Sequence, residues 1–196
     1  MSNVSPPTRE GAGTNPRTAI RTLSLIAAVC LAPIVASYAV YYFAPRDKQV
    51  NYGTLLPTAP APALEGTRVD GAPFRLDALR GKWIFVTLGG EVCAAACERG
   101  LYATRQARTM QGKEQERILR VLVITGDARP SAEVLREHSG LVVVRAPGAD
   151  SAYLGGPGTT YLLDPLGNQV LRYPEDPDIK GIAKDLGRLL KASRIG

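Results

Sequence analysis

No charged residue occurs between Arg21 and Arg46, and within that interval residues 23–43 read LSLIAAVCLAPIVASYAVYYF. About 20 apolar residues rising 1.5 Å each cross the hydrocarbon layer of a bilayer, so residues 22–45 are predicted to form one transmembrane anchor. Tyr38, Tyr41 and Tyr42 cluster at its end, where amphipathic rings favour the headgroups, and Pro33 marks a point of kinking. A cleaved signal peptide is the rival reading. Its apolar core would be about 7–15 residues long and a clear A-x-A site would follow, and neither description fits. Basic residues are nearly balanced across the anchor, with Arg9, Arg17 and Arg21 before it and Arg46, Lys48 and Arg68 after it. The short polar segment 1–21, with Arg17 and Arg21 close to the membrane, is read as a cytoplasmic tail. The remainder would then lie across the membrane, in the periplasm of a bacterium with the anchor in its inner membrane. Residues 46–63 are read as a Pro-rich linker, of which PTAPAPA at 57–63 is a polyproline-type spacer that does not pack. The folded domain is expected at 64–196.

Beyond Leu64 the pattern alternates between strand and helix periods. TRVDGAPFRL has turn chemistry at Asp70-Gly71 between two short alternating runs and predicts a hairpin, followed by a helical turn in LDALRGK. The continuous apolar run WIFVTL at 83–88, closed by Gly-Gly, suits a strand buried on both faces. A helix is predicted over 92–110, a strand over 118–125, a helix over 131–138 with Ser131 as its cap, and a strand over 141–145. Strand–helix–strand units of this kind imply parallel pairing and right-handed crossovers. Strands at 161–164 and 169–173 flank the turn Pro165-Leu166-Gly167-Asn168, and 178–192 is an amphipathic closing helix. The fold class is α/β, a sheet flanked by helices, carried on one N-terminal transmembrane helix.

Composition narrows the chemistry. The 196 residues are 45% hydrophobic with a net charge of +6, but the basic residues are dispersed and form no Lys/Arg block interleaved with aromatics, which argues against a nucleic-acid partner. His138 is the single histidine, so a site needing two imidazoles is excluded; on its predicted helix it reads as a solvated surface residue. Three cysteines are too few for a disulfide scaffold, and Cys30, inside the apolar run, reads as a small apolar residue.

Cys93 and Cys97 fall where the helix after the central strand begins. Residues four apart on a helix share a face with Cα atoms about 6 Å apart, a separation that a disulfide accepts. The unpaired N–H groups and partial positive charge of a helix N-terminus favour a thiolate, which makes Cys93 the candidate attacking thiol and Cys97 the candidate resolving thiol. Glu91 and Glu98 act against the thiolate, and Arg99 and Arg105 offset them. The plainer reading is a pair of small core residues or a static disulfide.

Three blocks carry a family resemblance: Asp70-Gly71-Ala72-Pro73-Phe74-Arg75-Leu76, then Leu79-Arg80-Gly81-Lys82-Trp83-Ile84-Phe85-Val86, then Cys93-Ala-Ala-Ala-Cys97. They resemble the opening of the Sco/SenC proteins, which are membrane-anchored and thioredoxin-like. The similarity extends through Val121-Leu122-Val123-Ile124 and Tyr161-Leu162-Leu163-Asp164-Pro165-Leu166-Gly167, and Asn51-Tyr52-Gly53-Thr54-Leu55-Leu56-Pro57 looks like short Sco-related proteins associated with respiratory oxidases. The resemblance implies a thioredoxin-like fold with a central mixed sheet. It also implies a role in assembling the binuclear copper site of cytochrome c oxidase, with an oxidase subunit as partner and copper as the metal held by Cys93 and Cys97. The family's third copper ligand is a distal histidine, and aligning on Tyr161-Leu162 puts Gly156 in its place. Pro157 stands one residue early for the cis-proline of thioredoxin-like reductases, leaving Gly158 at that site.

Three functional readings follow. In the first, Cys93 attacks a disulfide of a client and Cys97 resolves the mixed disulfide, so that the oxidase's copper-site cysteines are kept reduced. In the second, Cys93 and Cys97 hold Cu(I) for delivery, since two thiolates satisfy this soft ion while the imidazole-dependent Cu(II) form is lost. In the third, the domain is a non-catalytic assembly factor. A peroxiredoxin is disfavoured because LGGEV before Cys93 lacks the Thr and Pro of those peroxidases.

Overall fold

The computed structural model describes residues 16–43, 51–127, 130–153 and 155–193. The chain divides into two units, Met1–Lys48 and Gln49–Gly196. In the first, Pro16–Phe43 forms one helix, α1, of 28 residues, with a mean hydropathy of 2.2 over its most apolar window and every residue exposed. It is long and apolar enough to cross a membrane. Among the described residues the helix extends upstream of the expected boundary at 22, as far as Pro16. Residues 1–15 of the expected tail and 44–45 of the expected anchor lie outside the described residues.

The second unit is an eight-stranded mixed sheet in the order β1-β8-β7-β4-β5-β6-β2-β3. Its centre is β4 (Trp83–Gly90), paired in parallel with β5 (Ile118–Ile124), which pairs in parallel with β6 (Leu141–Arg145). The crossovers are α2 (Ala95–Thr109) and α3 (Ala132–Glu137). Because β4, β5 and β6 step in one direction across the sheet, two right-handed crossovers put both helices on the same face. The closing helix α5 (Ile179–Ala192) packs on that face as well, its Ile182, Leu186 and Leu190 meeting Trp83 and Phe85 of β4. Strand alternation sends Ile84, Val86 and Leu88 to the other face, where Leu64, Phe74, Leu76 and Tyr153 cover them. Burial on both faces explains the unbroken apolar run of β4.

On one side of the centre, β7 (Thr160–Leu163) and β8 (Asn168–Tyr173) form the expected hairpin, antiparallel to each other and with β7 antiparallel to β4. On the other, β2 (Glu65–Arg68) and β3 (Pro73–Arg75) form the Asp70-Gly71 hairpin, and β2 adds antiparallel to β6. A short α4 (Ala149–Ala152) follows β6.

The spacer expected at 57–63 is corrected by the structure. Residues Thr54–Pro60 form β1, an edge strand antiparallel to β8, with an irregularity between Leu55 and Ala59 where Pro57 sits. Proline cannot donate to a ladder, but an edge strand needs only one of its two sides, so Pro57 and Pro60 are accommodated. Packing therefore begins upstream of Leu64. Residues 46–50 of the expected linker lie outside the described residues.

Candidate functional site

The site lies at the carboxyl end of β4, where an open α/β sheet exposes the loops between its strands and helices. Three loops meet there through bare backbone. After the buried run of β4 the chain turns at Gly90, whose φ of +69° favours glycine, and a Cβ at Gly90 would come within 2.8 Å of the Pro157 ring. The loop before β7 continues the β4 ladder, with Gly158 donating to the Leu88 carbonyl (2.7 Å) and Leu88 donating to that of Thr159 (2.9 Å). Gly158, at φ +96°, lies against the first turn of α2, and a Cβ on it would stand 2.9 Å from the carbonyl carbon of Ala96. After β5, Thr125 donates to the Gly90 carbonyl at 2.8 Å, and Gly126 backs directly onto Glu91.

Within this frame Cys93 and Cys97 are joined as a disulfide, with Cα atoms 5.2 Å apart. The structure places only Cys97 in the helix. The helix is capped by Ala94 and begins at Ala95, so Cys93 precedes it and the helical i, i+4 geometry expected for the pair is replaced by a turn that draws the Cα atoms closer. The two sulfurs differ in access. Cys97 is fully buried against Leu101, Leu122, Ile124 and Val134, while Cys93 is partly exposed. Ala94 offers no side-chain cap, so the first N–H groups of α2 are left for whatever stands over the first turn. Cys93 immediately precedes this uncapped start.

The charged neighbours are distributed differently from expectation. Glu91 and Glu98 are exposed. Arg99 pairs with Asp176 at 3.3 Å, and Arg105 stacks over the Tyr102 ring at 5.3 Å and donates to the Glu137 carbonyl, so both arginines have partners other than the thiols. A groove of about 570 Å³ runs beside α2 between Glu98, Arg99 and Tyr102, the α3 residues Glu133 and Glu137, and Asp176.

His138 is not the solvated residue its predicted helix position suggested. It caps the C-terminus of α3 and is only 4% exposed. Its Nδ1 stands 3.3 Å from Nη1 of Arg120, itself buried on β5 and donating to the Ser139 carbonyl at 3.0 Å. Burial, with Arg120 and Arg105 nearby, pushes the imidazole down to about 4, and Glu137 opposes this. Burial, with Arg108 and Arg105 nearby, lowers Arg120 to about 10. The sequence signal for this pair was present: Arg120 shares the face of β5 that carries Ile118, Leu122 and Ile124. Gly156, where the resemblance places a third copper ligand, is exposed and adjoins Glu175. Among the described residues no group of three His, Cys, Asp or Glu side chains converges as a metal cage. The donor set fits a two-thiolate Cu(I) site once the disulfide is reduced and does not fit a Cu(II) site with imidazole. Pro157 is exposed, and no peptide bond among the described residues is cis.

A cysteine pair after a central strand of a mixed sheet, with its second member buried on the inner face of the following helix, is the arrangement of a thioredoxin-like protein. The chain belongs to the family described as transmembrane-like, thioredoxin-like, C-terminal domain, which it matches over residues 83–193. Among solved structures, copper-bound ScoI of Arabidopsis thaliana is similar with a TM-score of 0.57 and 19% identity, over 69% of this chain and 100% of that one. Apo Sco1 of Thermus thermophilus gives a TM-score of 0.52 and 24% identity, over 74% and 98%. The thioredoxin domain of a thiol-disulfide oxidoreductase from Bacteroides vulgatus gives 0.51 and 18%, over 69% and 99%. These likenesses establish the Sco and thioredoxin-like fold. No curated protein matches the sequence.

Proposed function

We propose that the chain is a membrane-anchored thiol–disulfide exchange protein whose client is the copper-site cysteine pair of a cytochrome c oxidase subunit. The asymmetry of the two sulfurs carries this reading: a partly exposed Cys93 just before an uncapped helix start and a fully buried Cys97 bonded to it. The Cys93 thiolate attacks one sulfur of a client disulfide, forming a mixed disulfide and releasing the other client sulfur as a thiolate that takes up a proton. Cys97 loses its proton and attacks Cys93, releasing the second client thiol. The client gains two electrons, the Cys93–Cys97 pair loses two, and a dithiol of lower potential restores it. In this reading α1 holds the protein in a bacterial inner membrane with the domain in the periplasm.

A second reading, delivery of Cu(I) held between Cys93 and Cys97, is favoured by the copper-bound Sco proteins among the structural neighbours. One preparation tests both. The reduced full-length chain in detergent is titrated with Cu(I) against a competing chelator and, separately, equilibrated in glutathione redox buffers. The exchange reading expects weak copper binding, a couple near the thioredoxin range of about −270 mV, and a mixed disulfide trapped by Cys97→Ser but not by Cys93→Ser. Tight one-to-one copper binding that either serine variant abolishes would replace exchange by copper delivery.

A further inference from the structure

The solvent face of α5 carries Lys180, Lys184, Arg188 and Lys191, all exposed. At 100° per residue these four fall within an arc of about 80°, a straight stripe roughly 17 Å long. No carboxylate interrupts it. Asp185, the one acidic residue inside the helix, is buried and accepts the backbone N–H groups of Tyr52 (3.0 Å) and Gly53 (2.8 Å). Lys180, Lys184 and Lys191 form no ion pair among the described residues.

The helix itself gains only at its last turn, where Lys191 meets the negative end of the dipole. Like charges at i, i+4, as in Lys180/Lys184 and Lys184/Arg188, repel, and Lys180 stands in the first turn, where the positive end of the helix dipole disfavours a cation. The acidic residues Glu98, Glu133, Glu137 and Asp176 gather instead along the groove beside α2, where Arg99 pairs with Asp176. The chain also enters the domain against this helix. Tyr52 and Gly53 are clamped by Asp185, the Tyr52 hydroxyl accepts from the Asp178 N–H at 2.8 Å, and Tyr52 follows the last residue of α1 by nine positions.

We propose that the basic face of α5 docks on the anionic lipid headgroups of the bilayer that α1 crosses. Three of the four side chains are lysines, compact charges that bind phosphates without the planar geometry an arginine brings to a protein carboxylate. No aromatic or large apolar side chain stands among them to serve as the buried anchor of a protein interface. The inference is independent of what the dithiol does and rests only on α1 being a membrane anchor.

The test uses the full-length chain in nanodiscs of phosphatidylglycerol or of phosphatidylcholine. Co-fractionation with both discs in 1 M salt reports the anchor by itself. Acylation rates of individual lysines, read by mass spectrometry in low salt, report the docking. Each charge at an anionic surface is worth about fivefold in binding, so Lys180, Lys184 and Lys191 should be acylated severalfold more slowly in phosphatidylglycerol discs, with Lys82 unchanged and the difference erased by 0.5 M salt. In Lys184→Glu/Arg188→Glu, Lys180 and Lys191 should lose most of that protection. Equal rates in the two lipids, or protection that appears only when an acidic protein is added, would overturn the proposal.

Discussion

Lowering the pH from 7.5 to 5 should destabilise the domain through one residue. His138 is buried at the end of α3, facing Arg120 on β5 and Arg105 on α2, with only the adjacent Glu137 favouring a charge on it. Its imidazole titrates near 4 in the folded protein against an ordinary value of 6.5. The folded value is depressed, so the unfolded chain takes up the proton first. Stability is at its full value above about pH 6.5 and falls as the pH drops from there towards 4. Linkage over this interval gives a loss of about 2 kcal/mol at pH 5 and about 3 kcal/mol at pH 4. Trp83, the single tryptophan and buried, reports unfolding by its fluorescence. Urea titrations of the full chain in mild detergent at pH 7.5 and pH 5 would be compared with those of His138→Gln, which cannot titrate but can still accept from Arg120. The wild-type stability should fall by about 2 kcal/mol more than that of the variant over this range. Equal losses in the two proteins would refute the assignment of a neutral imidazole against Arg120.

Further expectations concern the site and the chain entry. On reduction, Cys93 should alkylate at least about tenfold faster than Cys97, since accessible thiolates react and buried thiols do not; equal rates by peptide mass spectrometry would remove the asymmetry on which exchange depends. Gly158→Ala forces a side chain onto a positive-φ position against Ala96 and should lower stability by about 1–3 kcal/mol while slowing reduction of the disulfide by dithiothreitol, both measurable on one preparation. Asp185→Ala leaves the Tyr52 and Gly53 N–H groups without their carboxylate and should cost about 2–3 kcal/mol, with hydrogen exchange at those two amides accelerating well before the sheet opens.

Much of the fold was legible because its strands keep a simple period. The run WIFVTL, short and closed by Gly-Gly, suited a strand covered on both faces, and 141–145 was expected with the bounds that β6 takes. The CxxxC pair could be placed beside a strand-to-helix junction because such a junction is readable from where apolar periodicity changes. Residues 54–60 were misread since Pro57 and Pro60 mimic an unpacked spacer, and nothing local tells that a neighbour leaves one edge of β8 open. The burial of His138 was hidden for a related reason: its environment is supplied by Arg120 and Arg105, on elements distant in sequence. The same applies to the loops around Cys93, where Gly126 and Gly158 approach the turn and the α2 start from segments far along the chain.

Those glycines alter what a tolerance map of the protein would look like. At Gly90, Gly126 and Gly158 even a methyl group would come within 3 Å of a neighbouring loop or of the α2 start. Ala94 and Ala95, lying between the two cysteines, are exposed. Sequence variation should therefore be admitted inside the motif and refused at positions that carry no reactive group. The specification of the site is written largely in missing side chains, and a homologue would be better recognised by where it keeps glycine than by what it places between its cysteines.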